Sequence, residues 1–195
     1  MQEIEIELKN LLTESEFRLL LSRLPFPAAA QTQTNYYFET RDFKLKQQGS
    51  ALRIRKKNGV YYLTLKEPYG EGLLETHDVL SEIEAQDWLS GACTIKEHTG
   101  ERLMVLGVKA PQLKYYGKLT TERRQFAADN LLYVLDQSYY HGITDYELEI
   151  EAPDKTSGEQ ALQRILSDYH ITAKETPNKI RRFFKAIALN GAKDG

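Results

Sequence analysis

The chain has 195 residues, of which 41% are hydrophobic and 28% are charged, a composition typical of a soluble globular protein and not of a disordered one. Its 26 basic and 28 acidic residues give a net charge of −2, which excludes a bulk attraction to nucleic acid or to an anionic membrane. Cys93 is the only cysteine, so an internal disulfide is excluded and a reducing cytoplasm is favoured.

The sequence shows no targeting or membrane-spanning pattern. Its first residues enter an acidic strand without the basic and apolar regions of a signal peptide, and no apolar run approaches the ~18 residues of a membrane span. We therefore expect a cytoplasmic protein whose partners include neither nucleic acid nor a membrane. One domain covering residues 1–195 is expected, because no repeat, low-complexity stretch or linker divides the chain.

The first predicted strand, residues 3–9, alternates between charged and apolar side chains. One face carries Ile4, Ile6 and Leu8, and the other carries a row of charge, Glu3, Glu5, Glu7 and Lys9. Carboxylates two residues apart on a strand stand roughly 6.5–7 Å from each other. Such a row repels itself unless it faces water, cationic side chains or metal ions.

A helix and a second strand follow. Thr13-x-x-Glu16 is a capping box, and the apolar stripe from Phe17 to Leu24 predicts a helix that ends at Pro25. Residues 25–30 are rich in proline and alanine and predict a loop. Residues 32–40 carry three consecutive aromatic side chains and predict a strand.

A ribbon of three strands is predicted next, over residues 51–57, 60–66 and 73–79. Asn58-Gly59 between the first two is the strongest hairpin signal in the chain. Alternation places Arg53, Arg55 and Lys57 on one face of the first strand. Lys66 belongs to the second strand, and Glu75 and His77 share a face of the third.

The second half contains further helices and three long strands. Ser81 with Glu84 caps a predicted helix over residues 81–89, and the weaker pattern of residues 91–107 favours a helix that ends at Gly107. Strands are predicted over residues 114–126, 131–139 and 144–152, and a helix opens at Ser157 and continues to Tyr169. The last helix is predicted to have Thr176 as N-cap and Pro177 at its first position.

Strands with one charged and one apolar face fit two arrangements, which alternation alone supports about equally. In the first, the charges lie in water and form cross-strand ion pairs that contribute a few tenths of a kcal/mol each. In the second, a barrel closes with its charges inside and helices cover its apolar exterior, leaving room for a small ligand. Such an interior suits a polyanion with a divalent metal, because cations hold phosphate oxygens and carboxylates hold Mg²⁺ or Mn²⁺.

Glu5-x-Glu7-x-Lys9 resembles the E-x-E-x-K signature of the CYTH family, the triphosphate tunnel metalloenzymes. The motifs that carry the resemblance follow the expected order and span nearly the whole chain. Their general pattern is similar to that of the short CYTH proteins of Gram-positive bacteria. Its further motifs are Ala51-Leu-Arg53-Ile-Arg55, Leu65-Lys66-Glu67, Leu74-Glu75, Leu119-Thr-Thr-Glu-Arg123, Leu135-Asp136, Asp145-Tyr-Glu147-Leu-Glu149 and Asn178-Lys179-Ile-Arg181-Arg182.

The resemblance implies an α+β fold, an eight-stranded antiparallel closed barrel with a charged interior and helices packed on the outside. The C-terminal helix, residues 177–190, would close one end of this tunnel. The implied activity is metal-dependent hydrolysis of inorganic triphosphate or a related organic triphosphate, with Mg²⁺ or Mn²⁺ as cofactor. The metal would polarise phosphoryl oxygens and position the attacking water, and the cations would neutralise charge on the transferring group.

Carried over position by position, the resemblance also implies four groups of site residues. The catalytic residues would be Glu5, Glu149 and Lys9. The metal ligands would be Glu5, Glu7, Asp136, Glu147 and Glu149. The triphosphate would be bound by Lys9, Arg53, Arg55, Lys66, Arg123, Lys179 and Arg182. Supporting tunnel residues would be Glu75 and Glu151.

Two of these placements have alternatives. Glu147, Glu149 and Glu151 offer two overlapping E-x-E pairs, of which the first is preferred. Arg123 and Arg124 lie on opposite faces of their strand, so only one can point inward.

Other functions are also open at this stage. A class IV-type adenylyl cyclase would share much of the tunnel. A non-catalytic polyphosphate- or nucleotide-binding module would need only the cations and not the acidic pairs. A homodimer is left open. P-loop chemistry is disfavoured because no G-x-x-x-x-G-K-[ST] loop is present. The four histidines lack metal-ligand spacing, although His77 shares the predicted face of Glu75.

Overall fold

The computed structural model describes residues 1–191, which contain eight β-strands and six α-helices. The strands are β1 (Gln2–Leu12), β2 (Gln31–Thr40), β3 (Ala51–Lys57), β4 (Val60–Tyr69), β5 (Gly72–Leu80), β6 (Leu113–Ala128), β7 (Leu131–Tyr140) and β8 (Ile143–Ala152). The helices are α1 (Glu14–Arg23), α2 (Lys44–Gln47), α3 (Glu82–Ser90), α4 (Glu97–Val105), α5 (Lys155–Asp168) and α6 (Lys179–Gly191).

Hydrogen bonds join the eight strands into a closed barrel in the order β1-β5-β4-β3-β2-β6-β7-β8. Seven neighbouring pairs are antiparallel: β1–β5, β1–β8, β2–β3, β3–β4, β4–β5, β6–β7 and β7–β8. Short turns connect β3 to β4, β4 to β5, β6 to β7 and β7 to β8, which is the usual connection between antiparallel neighbours. The predicted fold class, an eight-stranded antiparallel closed barrel with helices on the outside, is confirmed.

The residues group into two compact units. Unit 1 consists of Met1–Glu5 and Gln33–Leu119, and unit 2 consists of Ile6–Thr32 and residues 120–191. The first half of β1 therefore belongs to unit 1 and the rest to unit 2. The expectations that residues 1–195 form one domain, and that α6 closes an end of a tunnel, stay predictions.

The apolar face of the sheet in unit 1 is buried beneath helices. Leu52 and Ile54 of β3 and Leu63 of β4 are fully buried in one cluster with Trp88 of α3 and Leu103 of α4. Period-2 alternation puts these strand residues on one face, and amphipathic helices supply the matching apolar surface. The charged face of β3, β4 and β5 therefore points away from these helices.

Unit 2 repeats this arrangement with different helices. Leu148 and Ile150 of β8 and Leu135 of β7 are fully buried against Leu20 of α1 and Ile165 of α5. Asp136 of β7 and the glutamates of β8, which alternate with these leucine and isoleucine positions, point to the other face. The register of both strands is therefore set by burial of their apolar positions, because a one-residue slip would bury the carboxylates under the helices.

Several local signals form the structures that the sequence predicts. Capping boxes are present at Thr13 with Glu16 and at Ser81 with Glu84. The Asn58-Gly59 turn has both residues at positive φ, +51° and +78°, which matches the two-residue hairpin that this dipeptide favours.

Three predicted helix starts are wrong. Helix α5 begins at Lys155 and not at Ser157, because Asp154 caps it with a carboxylate that accepts the Ser157 N–H at 2.9 Å. Helix α4 begins only at Glu97. Helix α6 begins at Lys179 and not at Pro177, because the Thr176 hydroxyl accepts the Leu11 N–H of β1 instead of capping the helix. A backbone N–H of β1 thus takes the hydroxyl that the local pattern assigns to a cap.

The start of α4 is held by a residue from another element. Lys96 at the N-cap makes no side-chain cap, and instead Asp78 of β5 accepts hydrogen bonds from the Thr99 N–H and Oγ1, both at 2.7 Å. Burial would raise the pKa of Asp78, but the bonds from Thr99 and His98 outweigh it and lower that pKa. The carboxylate therefore does the work of an N-cap from outside the helix.

Replacing Asp78 with Ala is expected to cost about 1–2 kcal/mol of unfolding free energy, as loss of an N-cap does. Because the folded pKa of Asp78 is depressed, its contribution is present above pH about 4 and is lost as the pH falls through the folded value. Urea unfolding at pH 7 and at low pH measures both effects. Asp87→Ala, on the exposed surface of α3, is the control and should stay within about 0.5 kcal/mol of wild type. An Asp78→Ala midpoint equal to that of wild type would contradict the capping role.

None of the described helices is both long enough and apolar enough to cross a membrane.

Candidate active site: two clusters of buried charge

The charged row of β1 contributes to both units. Glu3 and Glu5 belong to unit 1, and Glu7 and Lys9 belong to unit 2. In each unit these side chains join a cluster of charges on the face of the sheet opposite the helices. We call these the unit 1 cluster, around Glu75, and the unit 2 cluster, around Glu149.

The unit 1 cluster forms where β4 and β5 pair. The register places Lys66 opposite Glu75 and Thr64 opposite His77. The Lys66 ammonium contacts the carboxylates of both Glu5, at 2.5 Å, and Glu75. Glu75 is 3% exposed, so this carboxylate depends on its cationic neighbours for stabilisation.

Two arginines of β3 complete the unit 1 cluster. Arg53 lies 3.7 Å from Glu75, and its Nε is buried without a hydrogen-bond partner in the described residues. Arg55 donates from Nε to Oδ1 of Asn35 at 3.1 Å. A buried donor that lacks an acceptor is uncommon in proteins and indicates a site for a further acceptor.

Both ring nitrogens of His77 have polar neighbours within hydrogen-bonding distance. Nδ1 lies 3.0 Å from Thr64 Oγ1, and Nε2 lies 3.0 Å from Glu3 and 3.4 Å from Glu75. Burial lowers the pKa of His77 more than the Glu3 carboxylate raises it. The imidazole is therefore predominantly neutral at pH 7.

The unit 2 cluster is built on three carboxylates, Asp136, Glu147 and Glu149, which we call the acidic triad. Asp136 of β7 pairs with Glu147 of β8, and Glu149 pairs with Lys9 of β1. The triad residues are 0%, 0% and 4% exposed. These charges do not lie in water, which decides against the arrangement with a solvated charged face.

Four cations neutralise the acidic triad. Arg123 donates to both oxygens of Asp136, at 2.9 and 2.6 Å, and to Glu149 at 2.7 Å. Lys9 lies 4.0 Å from Glu149 and 2.5 Å from Glu7. Lys179 and Arg182, one helical turn apart at the start of α6, both contact Glu147. Bidentate guanidinium–carboxylate geometry makes the Arg123 pair a strong, specific one.

Burial and these cations shift the pKa values of Glu147 and Glu149 in opposite directions. Burial, together with the neighbouring Glu149, raises the pKa of Glu147 to about 7 although Lys179 acts against it. Burial would also raise the pKa of Glu149, but Lys179 and Arg123 outweigh it and hold that pKa well below its usual range. Burial lowers the pKa of Lys179, and the three triad carboxylates raise it by more, so its ammonium stays charged.

The chemistry of the triad fits a divalent metal. Its members present carboxylate oxygens that all lie within 4.8 Å of one another, and Mg²⁺ and Mn²⁺ prefer such hard oxygen donors. A second candidate group among the described residues is Glu3, Glu75 and His77. Glu5 and Glu7 each lie against a lysine, Lys66 and Lys9, and their role as metal ligands stays a prediction.

Comparison with known families supports the sequence resemblance. The CYTH domain family matches residues 3–184. The chain belongs to the CYTH family.

Individual CYTH proteins share both sequence and fold with the chain. A Bacillus subtilis protein, provisionally named triphosphatase YjbK, is 44% identical over 94% of this chain and 96% of its own. A crystal structure of a protein from Bacillus halodurans, provisionally named adenylate cyclase, is 41% identical with a TM-score of 0.89, covering 94% and 98% of the two chains. HpAC1 from Hippeastrum is 26% identical with a TM-score of 0.74, covering 95% and 96% of the two chains, and is described as having a dominant triphosphatase activity.

The CYTH motifs leave the choice between Arg123 and Arg124 open, and the structure separates the two. Arg123 lies in the unit 2 cluster. Arg124 projects to the other face of β6, where its Nε donates to the Ala28 carbonyl at 3.3 Å. Of the two overlapping pairs on β8, Glu147 and Glu149 are in the triad, and Glu151 lies at the margin, 4.0 Å from Arg123.

The structure adds polar residues that sequence reasoning did not assign to the site. Asp145 accepts from Arg182 at 2.9 Å and from the Tyr140 hydroxyl at 2.6 Å. Its spacing of two residues before Glu147 on the same strand face is a signal that could have found it. Asn35 and Thr64 hold Arg55 and His77, and nothing in their sequence context distinguishes them from ordinary strand residues.

Proposed function

We propose that this CYTH protein is a metal-dependent triphosphatase that hydrolyses inorganic triphosphate or a related organic triphosphate. One observation carries the proposal: three buried carboxylates share one cluster with four cations. Such an arrangement offers ligands for a divalent cation and donors for phosphate oxygens side by side. The relatives support the same activity, because YjbK carries the name triphosphatase and HpAC1 is reported with triphosphatase activity.

The acidic triad would hold Mg²⁺ or Mn²⁺, and Glu7 in unit 2 and Glu5 in unit 1 stay proposed metal ligands. When bound, the ion supplies Lewis-acid polarisation of phosphoryl oxygens. Asp136, Glu147 and Glu149 are already held in place by Arg123 and Arg182. The ligands therefore need little reorganisation on binding, which favours affinity.

The cations would bind the phosphate oxygens and neutralise charge on the transferring group, which is the main requirement of phosphoryl transfer. In unit 1 this role falls to Arg53, Arg55 and Lys66, and the buried Nε of Arg53, which has no hydrogen-bond partner within residues 1–191, would donate to a phosphate oxygen. In unit 2 it falls to Lys9, Arg123, Lys179 and Arg182. Glu75 would orient the unit 1 cations, since it contacts both Lys66 and Arg53, and Glu151 would support Arg123.

The proton of the attacking water would be taken by a carboxylate, Glu149 or Glu5, and Lys9 would stabilise the developing charge. The depressed pKa of Glu149 keeps it ionised at neutral pH, which is the form that a proton acceptor needs, although the same depression makes it a weaker base. Both candidates stay open. We place the reaction in the cytoplasm, because the chain has one cysteine and such usage is typical of reducing compartments.

A phosphate-release screen tests the proposal. The purified protein is incubated with tripolyphosphate, ATP or thiamine triphosphate, each with Mg²⁺ and with Mn²⁺. We expect orthophosphate release from at least one of these triphosphates, and none without metal. Heat-inactivated protein and pyrophosphate are the controls. Release that is unaffected by a chelator would contradict metal dependence.

A class IV-type adenylyl cyclase is the second candidate, because the similar Bacillus halodurans structure carries the provisional name adenylate cyclase. It would convert ATP to cyclic AMP and pyrophosphate, which chromatography separates from orthophosphate. A non-catalytic polyphosphate-binding module is the third. It would bind tripolyphosphate in calorimetry and leave it intact.

A further inference from the structure

The centre of the acidic triad is occupied by a side chain of the protein itself. The Lys179 ammonium donates to Asp136 Oδ2 at 2.7 Å, to Glu147 Oε1 at 2.6 Å and to Glu149 Oε1 at 2.9 Å. An ammonium has three N–H donors, and each is used by a different carboxylate. Lys179 therefore has no donor left for a phosphate oxygen in this conformation.

The arginines occupy different positions around the same carboxylates. Glu147 turns one oxygen to Lys179 and the other to Arg182, and Glu149 turns one oxygen to Lys179 and the other to Arg123. If the Lys179 ammonium left, one oxygen of each glutamate would become available, and Oδ2 of Asp136 would keep only its bond from Arg123. The guanidinium contacts would still hold the three carboxylates in place.

A divalent cation requires these same oxygens. Mg²⁺ binds oxygen ligands at about 2.0–2.1 Å, so an ion held by all three carboxylates would compete with the ammonium for the same lone pairs. Two cations a few ångströms apart would also repel each other strongly at a site removed from water. Lys179 and the metal are therefore alternative occupants of the triad.

We propose that Lys179 is a built-in competitor for the metal, and that metal binding to Asp136, Glu147 and Glu149 expels its ammonium. The inference rests on the proposed function in taking the triad as the metal site. Its consequence is an ordered exchange. The ammonium becomes free to bind an anion only when the metal takes its place, which fits the triphosphate-binding role predicted for Lys179.

Metal titrations without substrate test the exchange. Lys179→Met keeps an unbranched side chain of similar length without the charge. We expect it to bind Mn²⁺ at least tenfold more tightly than wild type in isothermal titration calorimetry, because no ammonium must be displaced. Arg181→Met removes a charge from the exposed face of the same helix and should bind Mn²⁺ within twofold of wild type. Equal or weaker binding by Lys179→Met would overturn the proposal.

A wild-type measurement covers the case in which Lys179→Met does not fold. A buried, hydrogen-bonded ammonium exchanges its protons slowly enough to give a ¹⁵N–¹H signal in NMR. Lys179→Arg, which keeps the charge, assigns that signal by its absence. We expect saturating Mg²⁺ to abolish or shift the signal, and an unchanged signal would overturn the exchange. Neither experiment uses a triphosphate, so an exchange without phosphate release would refute the proposed function alone.

Discussion

Replacing Glu149 with Gln is expected to lower phosphate release from tripolyphosphate by about a thousandfold or more, a loss of roughly 4 kcal/mol of transition-state stabilisation. Glu149 contacts Lys179, Arg123 and Lys9, and we propose that it binds the metal and can accept the proton of water. The amide has the same shape but is neutral, so it binds a divalent cation more weakly and cannot accept the proton. Initial rates at saturating Mg²⁺ measure the effect.

The control for this variant is Glu159→Gln on α5, where the carboxylate is exposed and lies 3.9 Å from Lys155. It makes the same chemical change outside the cluster, and its rate should equal that of wild type. Circular dichroism and unfolding curves establish that Glu149→Gln is folded. A folded Glu149→Gln protein that releases phosphate at the wild-type rate would remove Glu149 from the mechanism.

Replacing Arg123 with Gln is expected to destabilise the protein by about 3–5 kcal/mol, the usual cost of removing one partner from a buried ion pair. Asp136 is fully buried and receives two hydrogen bonds from Arg123. Without the guanidinium, this carboxylate and Glu149 each lose a charged hydrogen-bond partner and stay buried. Urea unfolding in the absence of metal gives the free energy directly.

Arg124→Gln is the matched control, because the two arginines are adjacent in sequence and lie on opposite faces of β6. Arg124 bonds only a backbone carbonyl in the contacts described, at 3.3 Å, so its loss should cost about 1 kcal/mol. Combining Arg123→Gln with Asp136→Asn in a double variant should destabilise the protein by less than the sum of the two single changes, since the second change removes the unpaired charge. Equal losses for Arg123→Gln and Arg124→Gln would contradict the placement of Arg123.

Sequence reasoning predicted the barrel because the relevant signals are local or periodic. The capping boxes at Thr13 and Ser81 and the Asn58-Gly59 hairpin act within a few residues. The charged faces of β1 and β8 follow from alternation alone. The order of the CYTH motifs then turned these separate elements into an expected closed barrel.

The predictions failed or stayed open where a distant residue decides the outcome. Thr176 resembles a helix cap in its local sequence, but pairing with Leu11 of β1 takes its hydroxyl. Asp78 holds the start of α4 from another strand. Neither interaction can be recognised from the few residues around a helix end that define a cap in the sequence.

The sequence by itself determined which faces of the strands carry charge, because side chains on a strand alternate whatever the strand packs against. It could not determine whether those faces meet water, since charged alternation is equally compatible with a solvated surface. Only the tertiary structure decided that the triad is buried, that Arg123 and not Arg124 neutralises it, and that Lys179 occupies its centre. These outcomes depend on strand register and on the docking of a helix more than thirty residues away in sequence, and such long-range contacts arise only when the whole chain is packed.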